Sequence, residues 1–172
     1  MQNISATSRV QANLEELFKG KLAPGDAYVK FQLTSTVTAL LSMKQVQESL
    51  IVGAERITPL PNMPEFTIGM INSRDRVFCI FDLALLFGLS SELANYRQYP
   101  IVVFQTLGNS PIYVGIAVSQ LQGIVRISRE QIRPANNFVN AKLMPYVLGV
   151  VEKEETTIPV LELENVLQIL KT

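Results

Sequence analysis

The chain has 172 residues, 48% hydrophobic and 17% charged, with 15 basic residues balanced by 15 acidic ones. A chain of that length buries roughly 70% of its unfolded surface, so it forms one ordinary domain or two very small ones and is not intrinsically disordered. Zero net charge excludes a field that would steer it to nucleic acid or an acidic membrane. No apolar stretch approaches the ~20 residues of a membrane-spanning helix, no secretory signal is visible at the N-terminus, and the lone Cys79 cannot form an internal disulfide. These features predict a cytoplasmic protein.

In chain order, the first predicted element is a helix over Ser8–Lys19, with Val10, Leu14, Leu17 and Phe18 on one stripe, a Ser8/Gln11 capping box and Gly20 as a stop. Ala23-Pro24-Gly25 forms a hinge after it. YVKFQLT (28–34) alternates strictly, Val29, Phe31 and Leu33 against Lys30, Gln32 and Thr34, which predicts a half-buried strand; STVTALLSM (35–43) follows after a short turn. Ile57-Thr58-Pro59-Leu60-Pro61-Asn62-Met63-Pro64 is stiffened by three prolines. It reads either as a rigid crossover between strands or as a platform presenting Leu60 and Met63. INSRDRVF (71–78) predicts a hairpin tip, and Asp82 predicts the cap of a short helix through LALLFG. IVVFQTL (101–107) and IYVGIAV (112–118) flank a second hairpin turn, EKEETT (152–157) a third, and Glu162 opens a final helix with Leu163, Val166, Leu167 and Leu170 on one face.

The chain also repeats itself. At an offset of 75, VQESLIVGAERITPL (46–60) lies over LQGIVRISREQIRPA (121–135), matching Gln47 with Gln122, Glu55 with Glu130, Ile57 with Ile132 and Pro59 with Pro134. At an offset of 80, GMINSRDRVFCIFDLALLF (69–87) lies over GVVEKEETTIPVLELENVL (149–167), matching Gly69 with Gly149 and Asp82 with Glu162. The shift places five extra residues in the second unit, near 135–145. Short strands at close spacing, duplicated, predict a mainly β protein of two small barrels. The expected organisation is an N-terminal extension over 1–27 and a domain over 28–172, with lobe one at about 28–89, a junction near Ser90–Gln98, lobe two at about 98–161 and the final helix at 162–171.

Chemistry is argued mainly from what the sequence lacks. Without histidine there is no histidine base or ligand, and a single cysteine cannot build a thiolate metal site. No nucleotide-binding glycine motif is complete. Cys79 lies in VFCIF, an apolar run that predicts an inert core thiol. Asp82 and Glu162 are equivalent helix starts, so capping explains them better than a catalytic carboxylate pair does. The matched hairpin tips differ in charge: Asn72-Ser73-Arg74-Asp75-Arg76 is basic and Glu152-Lys153-Glu154-Glu155 acidic. Such tips are either plainly solvated or aimed at different partners.

The order V-x-E, I-x-P-L-P-N-x-P, G-x-I-N-x-R, then D-L resembles the CheW family; here it reads Val46-Gln47-Glu48, Ile57 through Pro64, Gly69-Met70-Ile71-Asn72-Ser73-Arg74 and Asp82-Leu83. GIAVSQLQGIVRISREQI (115–132) and VLGVVEKEETTIPVLELENVL (147–167) extend the resemblance over about 28–170. LTSTVTALLSMKQVQESL and MINSRDRVFCIFDLA resemble the branch attached to cyanobacterial pilus-driven phototaxis systems. The resemblance implies two SH3-like five-stranded barrels with short helices, no catalysis and no cofactor. It implies an adapter between the cytoplasmic tip of methyl-accepting receptors and the regulatory domain of a CheA-type histidine kinase, recruited to receptor arrays. The receptor would lie along the groove between lobes. By that resemblance Val46, Glu48, Asn72 and Arg74 contact partners, with Leu60 and Met63 adding apolar area, and Arg74 offers its planar fork to a receptor carboxylate.

Two departures qualify the transfer. The family has glycine where this chain has Asp75, which is expected to pair locally with Arg74 and Arg76 or to alter receptor choice. Ser119 stands where the family often carries aspartate. Competing readings are a generic SH3-like binder of proline-rich peptides, disfavoured by the absence of Trp and by scattered tyrosines, and a small enzyme with an unrecognised site. Zero net charge does little to oppose self-association.

Overall fold

A computed structural model describes residues 25–136 and 140–171. The expected helix over Ser8–Lys19 lies outside the described residues. Ten strands form two five-stranded sheets: β1 (Asp26–Gln32), β2 (Thr38–Ser42), β3 (Val46–Gly53), β4 (Thr67–Ser73), β5 (Arg76–Asp82), β6 (Gln98–Gln105), β7 (Tyr113–Ala117), β8 (Gln120–Ile127), β9 (Val147–Lys153) and β10 (Thr156–Leu161). The helices are short: α1 (Leu83–Leu86), α2 (Leu163–Lys171) and isolated 3₁₀ turns. The mainly β architecture of two small curled sheets agrees with the expectation.

The strand orders are β8-β1-β2-β10-β9 and β3-β6-β7-β5-β4. Each sheet is closed by an isolated bridge: Thr58 with Met70 joins the end of the β3 arm to β4, and Arg133 with Val150 joins the end of the β8 arm to β9. These bridges sit at matched positions of the repeat. So do the two parallel pairs, β5 with β7 and β10 with β2, and the two bulges that eject Gln47 from β3 and Gln122 from β8. The matched glycines serve one purpose. A Cβ on Gly69 would lie 2.4 Å from the Thr58 carbonyl oxygen, and one on Gly149 would lie 2.6 Å from Ile132 Cγ2 and 2.8 Å from the Arg133 carbonyl oxygen. Each arm therefore crosses its sheet at a point where only hydrogen fits.

The lobe boundaries require correction. The sheets do not follow the two halves of the chain, because the first two strands of each repeat unit join the last three of the other. One lobe is the continuous segment 46–117; the other combines 26–42 with 120–161 and encloses it. The stretch Ser90–Gln98, expected to link lobes, stays inside the inserted lobe: Leu93 packs in its core, Arg97 accepts a hydrogen bond from the Ala54 amide at 2.8 Å, and β6 then pairs with β3 along its length. Only residues 43–45 and 118–119 cross between sheets.

Between the sheets lies the largest core, built on alternate residues of both: Val29, Phe31, Ala39 and Leu41 from one, Phe81, Val102, Phe104, Val114 and Ile116 from the other. Phe31 and Phe104, which face the matched residues Ala39 and Val114 in their strand pairs, are fully buried there. Leu143, from the extra residues of the second unit, completes it at 0% exposure. The inward faces of each sheet make a private core, larger in the inserted lobe than in the enclosing one.

The helix starts behave as expected at Asp82. Its Oδ1 accepts from the Leu85 amide at 3.2 Å, and its other oxygen takes a short hydrogen bond from the Ser91 hydroxyl. Glu162 is instead engaged sideways, its Oε2 accepting from Asn165 Nδ2 at 3.2 Å, while its backbone carbonyl starts the helix by accepting from the Val166 backbone amide. Cys79 is half-buried rather than fully enclosed, and burial raises its thiol pKa, which opposes thiolate formation. Ser119 uses its polar side chain internally. Its Oγ donates to the Leu33 carbonyl at 3.1 Å, its amide to the Gln32 carbonyl at 3.0 Å, and its own carbonyl accepts from Tyr96 Oη at 3.3 Å.

Candidate functional site

A groove of about 420 Å³ runs between the lobes. Its two walls are the matched edge strands: Val46, Glu48 and Ser49 on β3, and Leu121, Gly123 and Ile124 on β8; Val29 and Val102 form the floor. The period-2 pattern explains why it is apolar. The strand faces that supply the inter-lobe core continue beyond the closed part of that core, leaving Val46 and Leu121 half-covered and Ile124 61% exposed.

The basic hairpin tip reaches this wall. Ser73 pairs with Arg76, leaving Arg74-Asp75 as a two-residue loop with φ of 52° and 63°. Two positive φ values match the twist of a type I′ hairpin. Arg74 Nη1 then lies 3.0 Å from Glu48 Oε2, spanning the two edges of the inserted sheet. The Glu48 side chain is 14% exposed and that of Arg74 75%. Glu48 Oε2 has no aligned hydrogen bond, so the contact is a Coulombic pair whose guanidinium keeps most of its donors facing solvent.

The expectation that Asp75 pairs with its neighbours is not met. Arg74 turns to Glu48, and Arg76 stacks over Tyr113 at 4.2 Å from the ring centroid. Asp75 is explained by backbone geometry. Glycine is the usual residue at a left-handed position, and aspartate is among the residues that tolerate one. The acidic tip repeats the same turn, with Glu154 and Glu155 at φ of 50° and 65°.

Of the six residues singled out by sequence, the structure brings Val46, Glu48 and Arg74 together. Asn72 is exposed on β4, two residues before the tip. Met63 belongs elsewhere: with Phe66, Phe81, Ile169 and Leu170 it lines a separate cleft of about 400 Å³ against α2. Leu60 is half-buried and lines neither. Sequence reasoning missed the second wall, Leu121 through Ile124. The offset of 75 that laid 121–124 over 46–49 was the available signal. The tyrosines, scattered in sequence, are partly gathered by the fold: Tyr96, Tyr99 and Tyr113 pack at the rim of the inserted core, where Arg76 covers Tyr113 and the Ser119 carbonyl engages Tyr96.

Among the described residues there is no group of three His, Cys, Asp or Glu side chains placed to hold a metal, and no helix long and apolar enough to cross a membrane. The two closed β lobes thus leave between them one groove with a charged pair on its rim. Comparison with known proteins places the chain more closely. The CheW-like domain model matches residues 27–171, and the chain belongs to that family. It is 28% identical over 127 residues to the chemotaxis protein CheW of Klebsiella aerogenes, covering 74% of this chain and 73% of that one. It is 26% identical over 119 residues to CheW of Thermotoga maritima, covering 69% and 74%. The crystal structure of the scaffolding protein TtCheW from Thermoanaerobacter tengcongensis superposes with a TM-score of 0.68 at 23% identity, over 81% of this chain and 90% of that one, and agrees in fold. The protein is a non-catalytic adapter of the chemotaxis type.

Proposed function

We propose that this adapter couples methyl-accepting receptors to a CheA-type histidine kinase, in the cytoplasm and at receptor arrays. The groove between the lobes carries the reading. Its lining is mainly apolar, with Gln47, Glu48 and Ser49 on one wall, it is walled by two matched strands, and a mostly exposed arginine stands at its edge. An amphipathic receptor helix can lay its apolar face on Val46, Leu121 and Ile124 and present a carboxylate to the free donors of Arg74. Asn72 lies beside that contact. Met63 and Leu60, expected to add apolar area there, do not line this groove, and Met63 lies on the separate cleft against α2. The resemblance of LTSTVTALLSMKQVQESL and MINSRDRVFCIFDLA to the phototaxis branch favours an array that controls type IV pili.

The test is calorimetric binding of the purified protein to the regulatory domain of the CheA-type kinase from the same cell, with a receptor tip hairpin titrated separately. Saturable binding of both, with receptor binding alone lost in Arg74→Glu, supports the reading. Failure of both overturns it. Binding of a proline-rich peptide with neither partner would instead select the generic SH3-like module.

A further inference from the structure

The two barrels differ at one mouth. Lys30 pairs with Leu40 in the enclosing lobe as Val103 pairs with Gly115 in the inserted one, so Lys30 and Val103 hold equivalent inward positions. In the inserted lobe that end is shut. Val103 is 1% exposed, the Phe78 ring lies over Gly115 with Cε2 3.2 Å from where a Cβ would stand, and Tyr113 with Arg76 stacked on it roofs the strand ends. In the enclosing lobe the repeat puts Thr38 at the position of Tyr113 and Thr156 at that of Arg76. The roof is missing, and a cavity of about 300 Å³ opens onto the core residues Leu40, Ile127, Val151 and Ile158.

The rim of this cavity carries three cations, Lys30, Arg126 and Lys153, against one carboxylate, Glu152. Arg126 spends one donor on the Gly25 carbonyl at 3.2 Å. Lys30 has no hydrogen-bond or ion-pair partner among the described residues, although its strand position directs it to the lobe interior. An apolar floor under an unpaired ammonium is complementary to a molecule that is apolar at one end and anionic at the other.

We propose that the open mouth of the enclosing lobe binds a carboxylate carried on a short apolar chain, with the chain against Leu40, Val151 and Ile158 and the carboxylate on the Lys30 ammonium. The carboxylate arrives either as a free acid or as an acidic side chain of a partner protein flanked by apolar residues. This site is on the opposite face of β1 from the inter-lobe groove, since Lys30 and Val29 alternate along the strand, so it stands or falls independently of the receptor reading.

The experiment is titration of the full chain with octanoate, and with octanol as the uncharged chain of equal length, followed by amide chemical shifts. Saturable octanoate shifts at Leu40, Val151 and Ile158, at least about tenfold weaker with octanol, are expected. Lys30→Met should abolish the preference for octanoate, and Lys30→Arg should restore it, with melting temperature confirming that both variants fold. Equal binding of the two probes, octanoate binding unchanged in Lys30→Met, or no saturation overturns the proposal. With binding established, competition by octanoate against the kinase regulatory domain assigns the carboxylate to a partner side chain, and absence of competition assigns it to a free acid.

Discussion

The inserted and enclosing lobes are copies of one plan that solve the same packing problem unequally. Both close with a bridge over a glycine, both eject a glutamine at a bulge, and both turn a hairpin through two residues of positive φ. Yet the inserted lobe fills its interior with Phe78, Val103 and Leu93 and packs Tyr113 under Arg76 at the rim, whereas the enclosing lobe places Lys30, Thr38 and Thr156 at the positions of Val103, Tyr113 and Arg76. A duplicated fold is constrained where strands meet and is free to diverge at the ends of its barrels and at its turns.

The comparison breaks most visibly in the shared core. Phe31→Ala and Phe104→Ala remove matched, fully buried rings from the same inter-lobe cluster. Each should cost about 3–5 kcal/mol, and each should shift one cooperative transition in chemical denaturation. Two separated transitions in either variant would show that the lobes fold independently. The glycine pair is the next lever. Gly69→Ala and Gly149→Ala should each cost about 1–3 kcal/mol. The first should be worse, because its added methyl meets backbone oxygen at 2.4 Å on a backbone of φ 156°, while the second meets backbone oxygen at 2.8 Å and a side-chain methyl that can move.

Smaller effects separate binding from stability. Arg74→Glu places like charges at the groove rim. The arginine side chain is mostly exposed, so stability should change by no more than about 1 kcal/mol, while receptor-tip affinity measured by calorimetry should fall at least about tenfold. Unfolding in this variant would remove the distinction. At the turns, Glu155→Gly and Asp75→Gly should each stabilise by less than about 1 kcal/mol, read as a rise in melting temperature. The gain should be larger at Glu155, because glutamate lacks the tolerance of aspartate for the left-handed region.

The strands, the three hairpins and the helix start at Asp82 were legible because alternation, turn residues and caps are local signals. Val29, Phe31 and Leu33 declare a buried face without reference to the rest of the chain. What stayed hidden was which sheet each strand joins. The apolar pattern of β5 is equally compatible with any neighbour, and its parallel pairing with β7 links residues more than thirty apart. Half of the groove was readable through the resemblance to the CheW family, which singled out Val46, Glu48 and Arg74, whereas Leu121 and Ile124 become a facing wall only once the exchange of strands is known. The partner of Arg74 illustrates the limit most sharply. Asp75 is adjacent in sequence, but the ion pair forms instead with Glu48 on a strand at the far edge of the sheet.

The insertion of residues 46–117 between β2 and β8 also sets an order of events at the ribosome. The inserted lobe has every strand it needs as soon as β7 has emerged. The β1–β2 hairpin is made first but gains its partners last, since β10 and β9 are completed only at Leu161 and its other neighbour, β8, follows the whole insertion. At roughly 5–20 residues per second, that hairpin waits several seconds with Phe31, Leu33, Leu40 and Leu41 lacking their final cover. The early lobe carries, in Phe81, Val102 and Phe104, the apolar surface on which the waiting hairpin finally packs, so the half of the molecule whose strands are complete first holds the template for the half completed last.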